Sequence, residues 1–323
     1  MVNKRDLVLN LLDDKKELDY IPAAFFIHFE PEAHFGQAAI DKHLAFFHYT
    51  EMDFVKIQYE TVFPRREEIR KPEDWLKMPK YGLDFYQNQV EVAKGLVQAA
   101  GKEALVIQTL YSPFMCAGHT AGDSILLKHL HENPEPVKHG LEIITESLRI
   151  FVRACIDAGV DGFYHSTQGG ETTRLEGSPL FEECVKAFDL SLMNEINEKC
   201  DFNILHVCDY VDGYTDLTPF LDYPGDVINC SLSLGDQKLS GQQVSDLFKR
   251  PFMGGIERLG TIATGTTTQV EQMAKEVLLD APTRFILGAD CTIPSTVDWE
   301  NLRTAIRAAH QTKQKRRSDE SIL

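Results

Sequence analysis

The sequence has no long hydrophobic run. Nothing in it approaches the ~18 consecutive apolar residues of a membrane-spanning helix, so none is expected. A secretory leader is not expected either, because Asp13, Asp14, Lys15 and Lys16 interrupt the stretch that would have to be apolar. Positive charge is also scarce: 33 Lys and Arg face 49 Asp and Glu, a formal net charge of −16. A nucleic-acid partner needs clustered cations and is excluded, and an anionic membrane surface is disfavoured for the same reason. No G-x-G-x-x-G follows the first apolar run, where the chain reads Phe26-Ile27-His28-Phe29-Glu30-Pro31, and there is no P-loop. A dinucleotide fold therefore lacks its fingerprint. No repeat of fixed period and no low-complexity linker divides the chain. The cysteines, at 116, 155, 184, 200, 208, 230 and 291, are an odd and scattered set. They read as reduced thiols of a cytoplasmic chain, not as a disulfide framework.

What remains is an ordinary globular composition, 43% hydrophobic and 25% charged over 323 residues, enough to bury a large core. Eight short apolar runs bounded by Gly, Pro or Asp read as strands covered on both faces. They are Ile21–Ile27, Asp53–Gln58, Ala104–Thr109, Asp161–His165, Asn203–Val207, Asp226–Cys230, Pro251–Ile256 and Arg284–Gly288. Amphipathic stretches lie between them, among them Pro136–Ala158, Phe181–Lys199 and Thr267–Leu279. Thr266-Thr267-Thr268 followed by Glu271 supplies capping signals for the last. Alternating β and α means a parallel sheet with helices outside, and eight repeats predict closure into a single α/β (β/α)8 TIM barrel over residues 1–323. An open doubly wound sheet is the competing arrangement. The core is expected over about 20–312, with residues 313–323 as a polar tail whose basic run suits a solvated helix end.

In such a barrel, chemistry sits at the carboxyl ends of the strands. Those positions hold His28 and Glu30; Gln58, Tyr59 and Glu60; Tyr111; Tyr164, His165 and Gln168, then Glu171; His206 and Cys208; Cys230; Glu257 and Arg258; and Cys291. Residues i and i+2 of a strand share a face, so His206 and Cys208 can both aim into the mouth. Zinc in catalytic sites accepts such a set, an imidazole with thiolates and an open position, and Cys291 can supply the third ligand. The same residues also admit a bland reading, in which the thiols are small buried hydrophobes and the imidazole is an ordinary satisfied side chain. Cys230 reads as core packing, with a closed four-ligand site as its alternative. Cys155, Cys184 and Cys200 read as helix packing, and His43, His48, His129, His131 and His139 as helix-surface residues.

Several segments resemble the uroporphyrinogen decarboxylase (URO-D) superfamily. Ile286-Leu287-Gly288-Ala289-Asp290-Cys291-Thr292-Ile293-Pro294 with Glu300-Asn301-Leu302 is similar to the family's last strand and following helix. Tyr111-Ser112-Pro113-Phe114 with Gly118 and Gly122 resembles its "G-P-F…G" loop, and Met52-Asp53-Phe54-Val55-Lys56 its second strand. The resemblance covers residues ~20 to ~310 and implies one (β/α)8 barrel. The family's zinc-dependent corrinoid:thiol methyltransferases bind zinc through H-x-C on the fifth strand and a later Cys; here Cys291 follows Cys208 by 83 residues. The resemblance thus implies Zn2+ on His206, Cys208 and Cys291, and a methylcorrinoid as co-substrate. It implies transfer of the methyl group to a small-molecule thiol, with Glu257 or Glu171 taking the proton and Tyr164, His165 and Gln168 lining the pocket beside His28, Gln58, Tyr59 and Tyr111. The branch's fourth ligand, a Glu on the sixth strand, has no counterpart in Ile228-Asn229-Cys230-Ser231. The decarboxylase branch uses an Arg-rich N-terminal loop and an Asp after the second strand. Here that loop carries Glu30 and Glu32, and Glu60 is the nearest stand-in for the Asp. A carboxy-lyase acting on a tetrapyrrole-type substrate, methyl transfer to another acceptor such as a folate, and a non-catalytic tetrapyrrole- or corrinoid-binding barrel stay open as alternatives. A corrinoid protein is an expected partner, and pairing as a homodimer is compatible with the sequence.

Overall fold

The computed structural model describes residues 3–313, so all but the first residue of the expected polar tail lies outside the described residues. Seven parallel strands form one curled sheet: β1 (Phe54–Ile57), β2 (Leu105–Tyr111), β3 (Gly162–Thr167), β4 (Ile204–Val207), β5 (Val227–Cys230), β8 (Phe252–Ile256) and β9 (Phe285–Ala289), hydrogen-bonded in that order. A small antiparallel hairpin, β6 (Ser233–Leu234) and β7 (Gln237–Lys238), is inserted after β5. The long strand-to-strand connections carry helices that cover the outer face of the sheet. In chain order the helices of the described residues are α1 (Lys4–Asn10), α2 (Gly36–Thr50), α3 (Leu83–Ala100), α4 (Pro113–Ala121), α5 (Asp123–Glu132), α6 (Pro134–Asp157), α7 (Pro179–Phe181), α8 (Ala187–Lys199), α9 (Gly241–Phe248), α10 (Thr261–Thr264), α11 (Thr267–Leu279) and α12 (Trp299–His310).

The expected first strand, Ile21–Ile27, is not a regular strand. It occupies the gap between the sheet's two edges and closes the barrel through isolated bonds. Ala24 N donates to Leu287 O (3.0 Å), Leu287 N to Pro22 O (2.8 Å) and Ile293 N to Phe26 O (2.8 Å); on the other side Asp53 N donates to Ala23 O (3.0 Å). A continuous ladder is prevented locally. Pro22 has no N–H, and the Ala23 N–H is taken by the Asp53 carboxylate at 2.7 Å. That carboxylate also accepts from Tyr20 Oη (2.8 Å) and lies 2.8 Å from His310 Nε2, so one buried acid ties the closing segment to α12.

The other strands fall where the apolar runs predict them. Their faces are fully covered, and one continuous core runs from Leu7 to Ala309. Helix starts follow their capping residues. Ser112 Oγ accepts from Met115 N (3.2 Å) ahead of Pro113, so the resembling loop opens α4. Thr266 caps α11 as expected, but its capping-box partner is Gln269, three residues on, and not Glu271. The stretch predicted as one helix over Phe181–Lys199 has a π turn at Glu182–Lys186 before α8. His43 and His129, expected on helix surfaces, face the core. His43 Nδ1 lies 2.7 Å from Ala39 O, and Trp75 Nε1 donates to His129 Nδ1 (3.1 Å). No helix among the described residues is long and apolar enough to cross a membrane.

Candidate metal centre

Strand β4 ends at His206-Val207, and Cys208 follows directly; Cys291 lies two residues past β9. These two strands are separated in the sheet by β5 and β8, and the curl brings their carboxyl ends together. One ligand atom from each of His206, Cys208 and Cys291 lies within 4.8 Å of the others, and all three residues are buried. The sulfurs of Cys208 and Cys291 are 3.8 Å apart. The hydrogen bond from Cys291 holds the Cys208 thiol well below its usual range, helped by His206 and opposing the effect of burial. Neither ring nitrogen of His206 has a hydrogen-bond partner of ordinary geometry, although both are buried. A buried imidazole with a free lone pair beside two sulfurs fits a cation that accepts nitrogen and sulfur, and zinc is the cation of that preference.

The supporting contacts orient this set. The Tyr164 ring stacks on His206 at 4.9 Å, and its hydroxyl donates to Asn229 Oδ1 at 2.5 Å. Asn229 is spent on that bond and on donations to Met253 O and Ala289 O, so it braces the interior and offers the centre no ligand. Cys230, beside it, is outside the cluster; burial pushes its thiol up to about 12, as a packing residue. Gln168 Nε2 donates to the Cys208 sulfur (3.3 Å), and Gln168 Oε1 accepts from Arg174 (3.3 Å). Arg174 also pairs with Glu171 (3.4 Å) and Asp123 (2.6 Å). Burial raises the Glu171 carboxyl to about 7, against the pull of Arg174. Arg258 spans both cysteine loops. Its guanidinium contacts Asp209 (2.7 Å) and Asp290 (3.7 Å), the residues next to Cys208 and Cys291, and its N–H donates to Asp290 Oδ1 (2.9 Å).

The remaining expected residues divide. Glu60 is held by His28 Nδ1 at 3.0 Å and His34 Nδ1 at 3.6 Å, with these imidazoles keeping its carboxyl below the usual range despite burial. Gln58 accepts from Lys56 Nζ (2.7 Å) and donates to Ile27 O (2.6 Å). Tyr59 and Tyr111 pack on each other, and Tyr59 also meets Phe151 of α6, which places Tyr59 between sheet and helices and away from the triad. His165 likewise points outward, 3.7 Å from Asp189 of α8. The register explains both, since neighbours along a strand alternate faces: Tyr164 faces in, so His165 faces out. Glu257 is exposed on the turn after β8 and makes no hydrogen bond or ion pair with the triad among the described residues. Sequence reasoning singled out neither Lys56 nor Arg174, and placed Arg258 at a strand end without a role. Lys56 carries a readable signal, a cation inside the otherwise apolar run Phe54-Val55-Lys56-Ile57.

Comparison with known proteins places this architecture. A methyltransferase from Methanosarcina mazei superposes with a TM-score of 0.77 over 96% of this chain and 99% of its own, at 16% identity. A B12-independent methionine synthase from Shewanella sp. W3-18-1, in complex with selenomethionine, gives 0.57 over 90% and 95%, at 11% identity. In sequence, the methylcobamide:CoM methyltransferase MtbA of Methanosarcina mazei is 23% identical over 248 residues, 76% of this chain and 70% of that protein. The model of the uroporphyrinogen decarboxylase (URO-D) family matches residues 51–312, which takes in every strand of the sheet together with His206, Cys208 and Cys291. By that match the chain belongs to the uroporphyrinogen decarboxylase family.

Proposed function

We propose that the chain is a zinc-dependent enzyme that moves a methyl group from a methylated corrinoid to a thiol. The observation that carries this reading is the convergence of His206, Cys208 and Cys291, all buried at the carboxyl ends of β4 and β9. The likeness to a methylcobamide:CoM methyltransferase supports the donor. His206, Cys208 and Cys291 would hold the zinc, and the chemistry it would supply is Lewis-acid lowering of a substrate thiol's pKa. The protein's own groups do the rest. Gln168 donates to the Cys208 sulfur, Arg258 grips the carboxylates next to both cysteines, and Tyr164 stacks on the imidazole. Glu60, paired with His28 at the mouth, and Glu171, whose carboxyl titrates at about 7, are the bases able to accept the thiol proton. A carrier protein would present the methylated corrinoid at the carboxyl ends of the strands.

The test is metal analysis of the purified protein with matched variants. The expected result is zinc near one per chain, lost in His206→Ala and in the double variant Cys208→Ala, Cys291→Ala. Stoichiometric zinc in the double variant would overturn the reading. Full lyase activity surviving chelation would replace it with the carboxy-lyase alternative, in which Glu60 stabilises positive charge on the substrate.

A further inference from the structure

Gln168 follows β3 directly and is buried, and its Nε2 donates to the Cys208 sulfur at 3.3 Å. A side-chain amide can present either end to a neighbour, and its oxygen would turn a lone pair, not a hydrogen, toward that sulfur. Arg174 fixes the orientation. Its Nη1 meets Gln168 Oε1 at 3.3 Å, and a guanidinium carries donors only. A flipped amide would set N–H against N–H in the interior, so holding the oxygen leaves the nitrogen end for Cys208. Arg174 is itself held from three sides. Its side chain is 3% exposed, and it pairs with Asp123 at the start of α5 (2.6 Å) and with Glu171 (3.4 Å). Its guanidinium also lies over the Phe114 ring of α4, 5.6 Å from the ring centre. A chain of contacts therefore runs from Asp123 through a guanidinium and an amide to a sulfur.

We infer that Arg174 is a positioning residue of the centre: through Gln168 it aims an N–H at the Cys208 sulfur and so lowers the charge which that sulfur gives to a bound cation. This rests on the metal reading above. Outer partners of a metal ligand tune it in this way, and an N–H bonded to an ionised sulfur is of the stronger, charge-assisted kind. A cation that receives less charge from its ligands is the stronger acid toward a third partner, which is the property that thiol activation needs.

A double-variant cycle tests this, with Gln168→Met, Arg174→Met and both together, on protein loaded with zinc or with cobalt(II) as its coloured substitute. Two readouts need no substrate: the dissociation constant from competition with a chromophoric chelator, and the energy of the sulfur-to-cobalt charge-transfer band. Gln168→Met should weaken zinc by about 10–100-fold, the span usual for partners of metal ligands. It should also move the band to the red, because a sulfur without an N–H on it gives up its electron more readily. Arg174→Met should shift both readouts in the same direction. Added to Gln168→Met it should change neither further, with affinity constant within about twofold. If Arg174→Met does not fold, Arg174→Lys takes its place: a single ammonium does not reproduce the fork that meets Gln168, Glu171 and Asp123 together, so the band should still move. Equal losses from Arg174→Met in both backgrounds, or a band that stays in place when either residue is replaced, would overturn the inference and leave the metal reading standing. A wild type that binds neither zinc nor cobalt would overturn the metal reading, and this inference with it.

Discussion

At the scale of single residues, the centre depends on groups that touch no metal. Arg258 grips the carboxylates next to both cysteines, and such outer partners commonly tune affinity by about 10–100-fold. Arg258→Gln should therefore weaken zinc by a factor in that range, read by competition with a chromophoric chelator, while circular dichroism stays native. Glu171 makes a second prediction. Its folded-state carboxyl at about 7 lies above its ordinary value of 4.5, so the folded state binds the proton more tightly than the unfolded chain. Its contribution is complete below about pH 4.5 and is lost as pH rises through about 7. Glu171→Gln should flatten that part of the profile of denaturation midpoint against pH; an unchanged slope would contradict it. Of the triad, His206 and Cys208 were legible because their residue types are rare and their spacing is local to one strand end, whereas Cys291, 83 residues on, was legible only through its place after the last strand and the family resemblance. Arg258 and Lys56 were not, because their meaning lies in partners on other strands, and a linear sequence does not say which acids a given cation will meet.

At the scale of elements, the strands were readable from short apolar runs, and the helix starts from Ser112 and Thr266. The exceptions have local causes. The closing segment loses its ladder to Pro22 and to a side chain distant in sequence, and the π turn before α8 leaves no mark in hydrophobic spacing. His165 and Tyr59 were placed in the mouth because they end strand-like runs, yet a one-residue step along a strand reverses the face. Close approach between elements is also specific. A Cβ on Gly140 of α6 would come within 2.6 Å of the Trp75 ring, which is fully buried and hydrogen-bonded to His129. Gly140→Ala should destabilise the protein by about 1–3 kcal/mol, the usual cost of overpacking, as a lowered midpoint in urea with an unchanged slope.

At the scale of the whole molecule, the charge of −16 has a consequence for partners. A carrier protein of the kind proposed would have to approach an acidic body, and complementary charge would speed that encounter in a salt-dependent way. The placement of the triad has a further one. Its ligands hang from β4 and β9, strands that only the curl of the sheet brings together, with 83 residues of chain between the two cysteines. A bound ion is thus a removable staple across a quarter of the molecule. Binding only the folded state, it adds about 1.4 kcal/mol for each tenfold excess of free zinc over its dissociation constant. Thermal unfolding should therefore climb with zinc in the wild type and stay flat in Cys291→Ala, so that simple heating reports occupancy of the centre with no substrate in hand.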